Sequence, residues 1–337
     1  MTHVSRPRSG VFARIVRGLV TTLCGLALLG MPPDGTSKSS ELRLAPYQPR
    51  SAHHAYGYAL ALEAFRRPGA RDWVLAAQRA TSEPERGEPP VDLTGRFDPE
   101  RIDALGLAFA VRGGRRIHVE VETEPSDDPA VGGVRSPFVE LFVMGEQGLA
   151  PVASPLPLPV DGAGPVVQRV DVDAFDAGEY VLRVQPEIGY AGRYRVSVRT
   201  APLLTFPVEG RTTRAIQSGF GAERDGGARS HRGVDIFAER GTPVLAAMDG
   251  FVTRVETTAR GGNVVWLQPL FADLRLYYAH LDTQLVRPGD FVLAGEIIGT
   301  VGNTGNAVTT PPHLHFGVYA RRRGGRGGAQ DPYPFLD

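Results

Sequence analysis

Apolar positions along the chain recur with two different periods, and the change between them divides the sequence. Tyr56, Ala59, Leu60, Leu62 and Ala64 stand at helical spacing. After Pro68 and Gly69, the run Asp72-Trp73-Val74-Leu75-Ala76-Ala77 continues in helical character, so residues 51–80 are read as helical. The stretch 82–100 is rich in Pro, Glu and Gly and is read as a loop. From about residue 101 the period becomes two. Leu105, Leu107 and Phe109, then Ile117, Val119 and Val121, then Val139, Leu141 and Val143 alternate with small or polar neighbours. Gly178–Val184 and the set Tyr194, Val196 and Val198 extend the pattern, and short alternating strands between Gly and Asp turns predict a β-sandwich of about 100 residues. Beyond Ala201-Pro202, apolar strands over 244–248, 251–256, 263–268, 274–280, 291–293 and 297–301 lie between Gly, Pro and Asn turns. They predict a small antiparallel β domain. The expected fold is mainly β: an N-terminal leader and short helical region, a sandwich over 101–200, and a second β domain over 201–337.

The leader reading rests on residues 1–35. Arg6, Arg8, Arg14 and Arg17 precede an apolar run of 14 residues, Gly18 to Met31, which Pro32, Pro33 and Gly35 close. That run is shorter than the ~20 residues a spanning helix needs and fits the core of a signal peptide. No clean cleavage site follows it, so an uncleaved anchor remains the alternative, and residues 36–50 read as a linker within a region 36–100. The expectation is an exported protein of the periplasm, cell envelope or exterior, touching membrane only through that segment. The 37 basic and 37 acidic residues of the 337 cancel, which argues against a nucleic-acid partner. The single cysteine, Cys24, excludes an internal disulfide and a cysteine metal site, so any metal must use His, Asp or Glu.

Eight histidines narrow the chemistry. His3 lies in the leader. His53 and His54 are adjacent on a predicted helix, diverge, and make a poor chelate. His118 sits in a strand and reads as a surface residue. The other four have more telling contexts. In Ser230-His231-Arg232-Gly233-Val234-Asp235-Ile236, an extended backbone puts His231, Gly233 and Asp235 on one face, with the glycine leaving room for an ion. In Pro311-Pro312-His313-Leu314-His315-Phe316-Gly317-Val318, the residues Leu314, Phe316 and Val318 form a core face and His313 and His315 share the other. Spacing alone leaves both of these histidines as candidate ligands. His280 ends the strand Leu276–Leu281 and would, by itself, be an ordinary satisfied histidine. Asn303 and Asn306 are loop candidates for supporting the site, by proximity only.

These segments, "SHRGVDIFAERGTPVLAAMDGFVTRV", "YYAHL" and "RPGDFVLAGEIIGTVGNTGNAVTTPPHLHFGVY", resemble the lysostaphin-type, LytM-like zinc endopeptidases of peptidase family M23 from about Phe206 to Phe335. The upstream segment more diffusely resembles the prepeptidase-type sandwiches of secreted bacterial hydrolases. The family resemblance implies one Zn2+ per chain held by His231, Asp235 and His315. It implies catalytic roles for His280 and His313, and hydrolysis of peptide cross-links in bacterial peptidoglycan by a metal-activated water. The implied partner is the peptidoglycan stem peptide; domains of this kind cut either glycine bridges or the direct cross-link at a D-alanine, and the second is preferred here because oligoglycine bridges are narrowly distributed. Two other classes compete: a catalytically silent regulator of wall hydrolases, which would lack some of the five residues, and a wall-binding protein acting through the sandwich. The run Arg321 to Arg326 reads as a solvated loop.

Overall fold

The computed structural model describes residues 50–62, 68–125, 136–158, 164–270, 272–320 and 328–337. The leader, Cys24 and the 321–326 arginine run lie outside them. No described helix is long and apolar enough to cross a membrane.

Among the described residues, the helices α1 (Ala52–Leu62) and α2 (Ala70–Ser82) come first. Leu60, Ala70 and Trp73 are buried with Phe138 in a small cluster of their own. The Trp73 indole nitrogen donates to the Pro186 carbonyl at 2.7 Å. A Cβ at Gly106 would stand 1.9 Å from the Ala80 carbonyl oxygen, so this glycine lets α2 lie directly on the sheet below.

That sheet belongs to a sandwich whose described strands are β1 (Glu85–Arg86), β2 (Val91–Phe97), β3 (Leu105–Val111), β4 (Arg115–Pro125), β5 (Phe138–Gly145), β6 (Gly148–Ala153), β7 (Val166–Ala174), β8 (Gly178–Gln185) and β9 (Gly192–Pro202). The two sheets have the orders β1-β3-β8-β5-β6 and β2-β9-β4-β7. Their facing residues, including Leu107, Ile117, Val121, Leu141, Leu182 and Val196, form one core. The sandwich starts earlier than the periodicity predicts, because the 82–100 stretch contributes β1 and β2. Strand β2 is an edge strand in which only Val91 and Phe97 are buried, and its Asp92, Thr94, Gly95 and Arg96 give it the composition of a loop.

The second β region holds β10 (Ile216–Ser218), β11 (Glu223–Arg224), β12 (Arg229–Ser230), β13 (Val234–Phe237), β14 (Pro243–Leu245), β15 (Gly250–Thr258), β16 (Gly262–Pro269), β17 (Leu274–Gln284), β18 (Phe291–Val292), β19 (Ile297–Val301), β20 (His313–Ala320) and β21 (Ala329–Gln330). Its main sheet runs β10-β13-β20-β17-β16-β15-β18, all antiparallel, with β14 and β19 paired beside it. Val234, Ile236, Tyr278, Leu314, Phe316 and Val318 fill one face and are inaccessible to solvent. A short C-terminal helix, α3 (Tyr333–Leu336), caps this core and ties it to the sandwich. Leu204 N–H donates to the Phe335 carbonyl and Leu203 N–H to that of Gly114. The two β regions are therefore packed together at this junction.

Candidate metal and catalytic site

The open face of the main sheet carries the polar residues. Antiparallel register sets Asp235 opposite His315, Phe237 opposite His313 and Ala279 opposite His315. Asp235 and His315 thus meet across one strand pair, while Leu314 and Phe316 point into the core, as the alternation predicts. His231 differs from the reading above. It lies ahead of β13, in a loop rather than on the strand. The β11–β12 hairpin holds it: His231 N–H donates to Ala222 O and His231 O accepts from Gly221 N–H, at 2.8 and 2.9 Å. Gly233 is required, for a different reason from the one expected. A Cβ there would stand 2.3 Å from the Phe316 carbonyl oxygen and 2.9 Å from the His315 ring. The glycine admits the neighbouring strand and imidazole.

His231 Nε2, Asp235 Oδ1 and His315 Nδ1 converge, with separations of 2.9 Å, 3.0 Å and 2.9 Å. Among the described residues they form the one group of three such side chains within metal-binding reach. A tetrahedral ion with ligand bonds of ~2.0–2.1 Å sets its ligands about 3.3 Å apart, so this triangle is close to the size such an ion needs. The donor set, two imidazole nitrogens and one carboxylate oxygen, suits a borderline-soft divalent cation.

Backbone carbonyls orient the rings. His231 Nδ1 donates to Gly219 O, His280 Nδ1 to Thr304 O and His313 Nδ1 to Pro311 O, each at 2.8 Å. A carbonyl can only accept, so Nδ1 carries the hydrogen in all three and the Nε2 lone pair remains for the site. The Asp235 carboxylate is divided similarly. Its Oδ1 faces the histidines, while Oδ2 accepts from the Arg224 guanidinium at 2.6 Å. Arg224 also reaches Ser218 Oγ at 2.6 Å. Burial pushes the Asp235 carboxyl up, but bonds from His231 and His315 outweigh it and hold the group well below the usual carboxylate range. Burial pushes His315 down, against the pull of Asp235. Burial likewise takes His280 down to about 4, so its ring is neutral near pH 7.

His280 reaches the cleft through a backbone irregularity. Leu276 and Tyr278 on β17 point into the core, and strict alternation would send residue 280 after them. Instead His280 has φ of 63°, the one positive value outside glycine among the described residues. Here β17 exchanges β20 for β19 as its neighbour on one side: its pairing with β20 ends at Ala279, and Leu281 pairs with Val301. This left-handed turn brings the ring within 5.1 Å of His313 and 5.9 Å of His315, between centroids. His313 stacks on Phe237 at 5.0 Å. All five candidate residues thus border one cleft of about 780 Å³.

Matching this geometry, residues 229–332 correspond to peptidase family M23. This segment is an M23 peptidase domain. Similar curated proteins include the L-Ala–D-Glu endopeptidase of Bacillus subtilis, 35% identical over 139 residues, covering 39% of this chain and 42% of that protein. The glycyl-glycine endopeptidase ALE-1 of Staphylococcus capitis is 43% identical over 108 residues, covering 32% and 29%. The peptidoglycan DD-endopeptidase ShyC of Vibrio cholerae is 37% identical over 107 residues, covering 31% and 24%. The chain spans less than half the length of each of these relatives.

The M23 domain contains features the sequence reading did not anticipate. The oriented carbonyls leave no residue signature. Arg224, on the short strand β11 seven residues before His231, stands in no motif that would single it out. Of the asparagines proposed as supports, Asn303 bonds Arg240 instead, and Asn306 lines the cleft without bonding a histidine. His118 pairs with Asp171 on the exposed sandwich face, away from the site. No described sandwich residue lines the cleft.

Proposed function

We propose that the M23 domain is a zinc-dependent endopeptidase acting on the peptides of bacterial peptidoglycan. The carrying observation is the triangle of His231 Nε2, Asp235 Oδ1 and His315 Nδ1, with two further imidazoles beside it. In this reading these three residues hold the ion, which when bound supplies Lewis-acid polarisation of the scissile carbonyl and lowers the pKa of water toward ~7. His280 and His313 move the protons. Each is fixed by a carbonyl on Nδ1 and offers Nε2 to the cleft, so the pair can take a proton from the attacking water and return it to the departing amine as the C–N bond breaks. Arg224 holds Asp235 Oδ2 and so leaves Oδ1 turned inward. His231 and His315 are assigned no proton transfer.

The favoured bond is the direct cross-link between stem peptides, and the basic, apolar N-terminal segment supports export to reach it. The sandwich is read as a spacer or positioning module. The test is digestion of purified peptidoglycan by the full chain, with new amine termini measured before chelation, after chelation and after zinc is restored. Release that stops with chelation and returns with zinc is expected. Absence of release by zinc-loaded protein would overturn the proposal.

A further inference from the structure

The cleft is electrically lopsided. The chain as a whole balances its charges, but four arginines, Arg224, Arg229, Arg232 and Arg260, line the cleft against a single described carboxylate, Asp235. Arg224 is already committed to that carboxylate. Arg232 and Arg260 are exposed and make no ion pair among the described residues. Both flank the same structure. Trp266 packs on Tyr277 at 4.4 Å and on Tyr319 at 5.4 Å, and Tyr277 stands edge-on to His315 at 5.9 Å. This aromatic platform continues the cleft floor from the histidine cluster. Burial pushes the Tyr277 and Tyr319 hydroxyls up, and the nearby charges of Arg260 and Arg232 respectively act against that rise.

Local backbone keeps this end open and its arginines close. A Cβ at Gly261 would lie 2.2 Å from the Tyr277 hydroxyl, so only glycine lets the Arg260 loop approach the platform. A Cβ at Gly317 would lie 2.9 Å from the Tyr319 ring, on the floor between platform and histidines. A cleft lined by one sign of charge focuses its field on a ligand of the other sign. A guanidinium fork beside an apolar ring matches a planar carboxylate carried on a peptide.

We infer that Arg232 and Arg260 form an anion-recognising rim on the aromatic end of the cleft, selecting peptides that carry free carboxylates close to the scissile bond. The inference rests on the peptidase reading above and narrows its substrate to acidic stem peptides, against neutral glycine bridges. The probe is one preparation of purified peptidoglycan, used as isolated and after its carboxylates have been converted to carboxamides with carbodiimide and ammonia. Two readouts are taken with the full chain: hydrolysis by the zinc-loaded protein, and co-sedimentation of the His313→Ala variant with each wall preparation. The native form is expected to be hydrolysed and bound roughly tenfold better than the amidated form at low salt, with the preference shrinking as salt rises. Arg232→Gln with Arg260→Gln should bring the ratio close to one at unchanged zinc content, and the double Arg→Lys variant should keep part of it. Equal treatment of the two walls, or a preference that survives both glutamines, would overturn the inference while leaving the peptidase reading intact. Carboxylate-dependent binding without hydrolysis of either wall would support the rim and contradict the peptidase reading.

Discussion

Among the described residues, buried histidines stand with buried carboxylates in two places, and only one of the two is open. In the helical region, His53 lies stacked on Trp73 at 4.5 Å. Its Nε2 donates to Gln185 Oε1 at 2.7 Å, and its Nδ1 accepts from Arg183 at 3.1 Å. Arg183 also pairs with the buried Glu140, whose other oxygen accepts from Ser51 Oγ at 2.6 Å. Every polar atom of that ring has a protein partner, and the cluster serves packing. In the M23 domain the same residue types are arranged the other way. Carbonyls take the Nδ1 hydrogens of three rings, and the unshared lone pairs converge on one cleft. Both hold histidine beside a buried carboxylate, so residue type alone does not separate them. The direction of the lone pairs does.

The contrast is sharpest where the cleft cluster is dismantled. His231→Ala or Asp235→Ala is expected to remove bound zinc, read by elemental analysis, and to lower wall hydrolysis by about a thousandfold or more. Zinc retained at full stoichiometry in His231→Ala would refute the ligand assignment. His313→Ala should keep the metal and lose about 10²–10⁴ in rate, measured as amine release. Arg224→Ala leaves Asp235 without its outer partner. It should weaken zinc binding by about 10–100-fold in a chelator competition, with Arg224→Lys recovering part of the loss. The same substitutions at His53 should leave zinc untouched.

The closed cluster makes a smaller prediction, of stability against pH. Burial, followed by the Arg183 charge, lowers His53 to about 4 from an ordinary 6.5. Below pH 6.5 the unfolded chain takes up a proton that the folded chain refuses. Stability is thus unaffected above that pH and is lost as pH falls from about 6.5 to about 4, by about 2–3 kcal/mol at most. Thermal unfolding of zinc-loaded protein should show this slope, and His53→Phe should flatten it even if it lowers stability at pH 7. An unchanged slope in His53→Phe would show that His53 is not its source.

What was legible in the sequence is what side-chain alternation encodes. Leu314, Phe316 and Val318 against His313 and His315 specify β20 and both of its faces, and the strands of the second β region follow the same logic. Less legible was anything carried by the backbone. The left-handed turn that swings His280 off the core face has no composition signal, and neither do the Gly219, Thr304 and Pro311 carbonyls that set the tautomers. The polar edge strand β2 looked like a loop because its pairing to β9 contributes hydrogen bonds rather than buried side chains. The role of His53 was hidden because its partners, Gln185 and Arg183, lie about 130 residues away.

Hydrolysis at the open cluster is tested most directly by mass spectrometry of the muropeptides released by the zinc-loaded chain. Fragments severed at a stem-peptide cross-link, each with a new amine terminus, are expected, and they should disappear with His313→Ala at full zinc content. An unaltered muropeptide profile, or identical release by the variant, would contradict it.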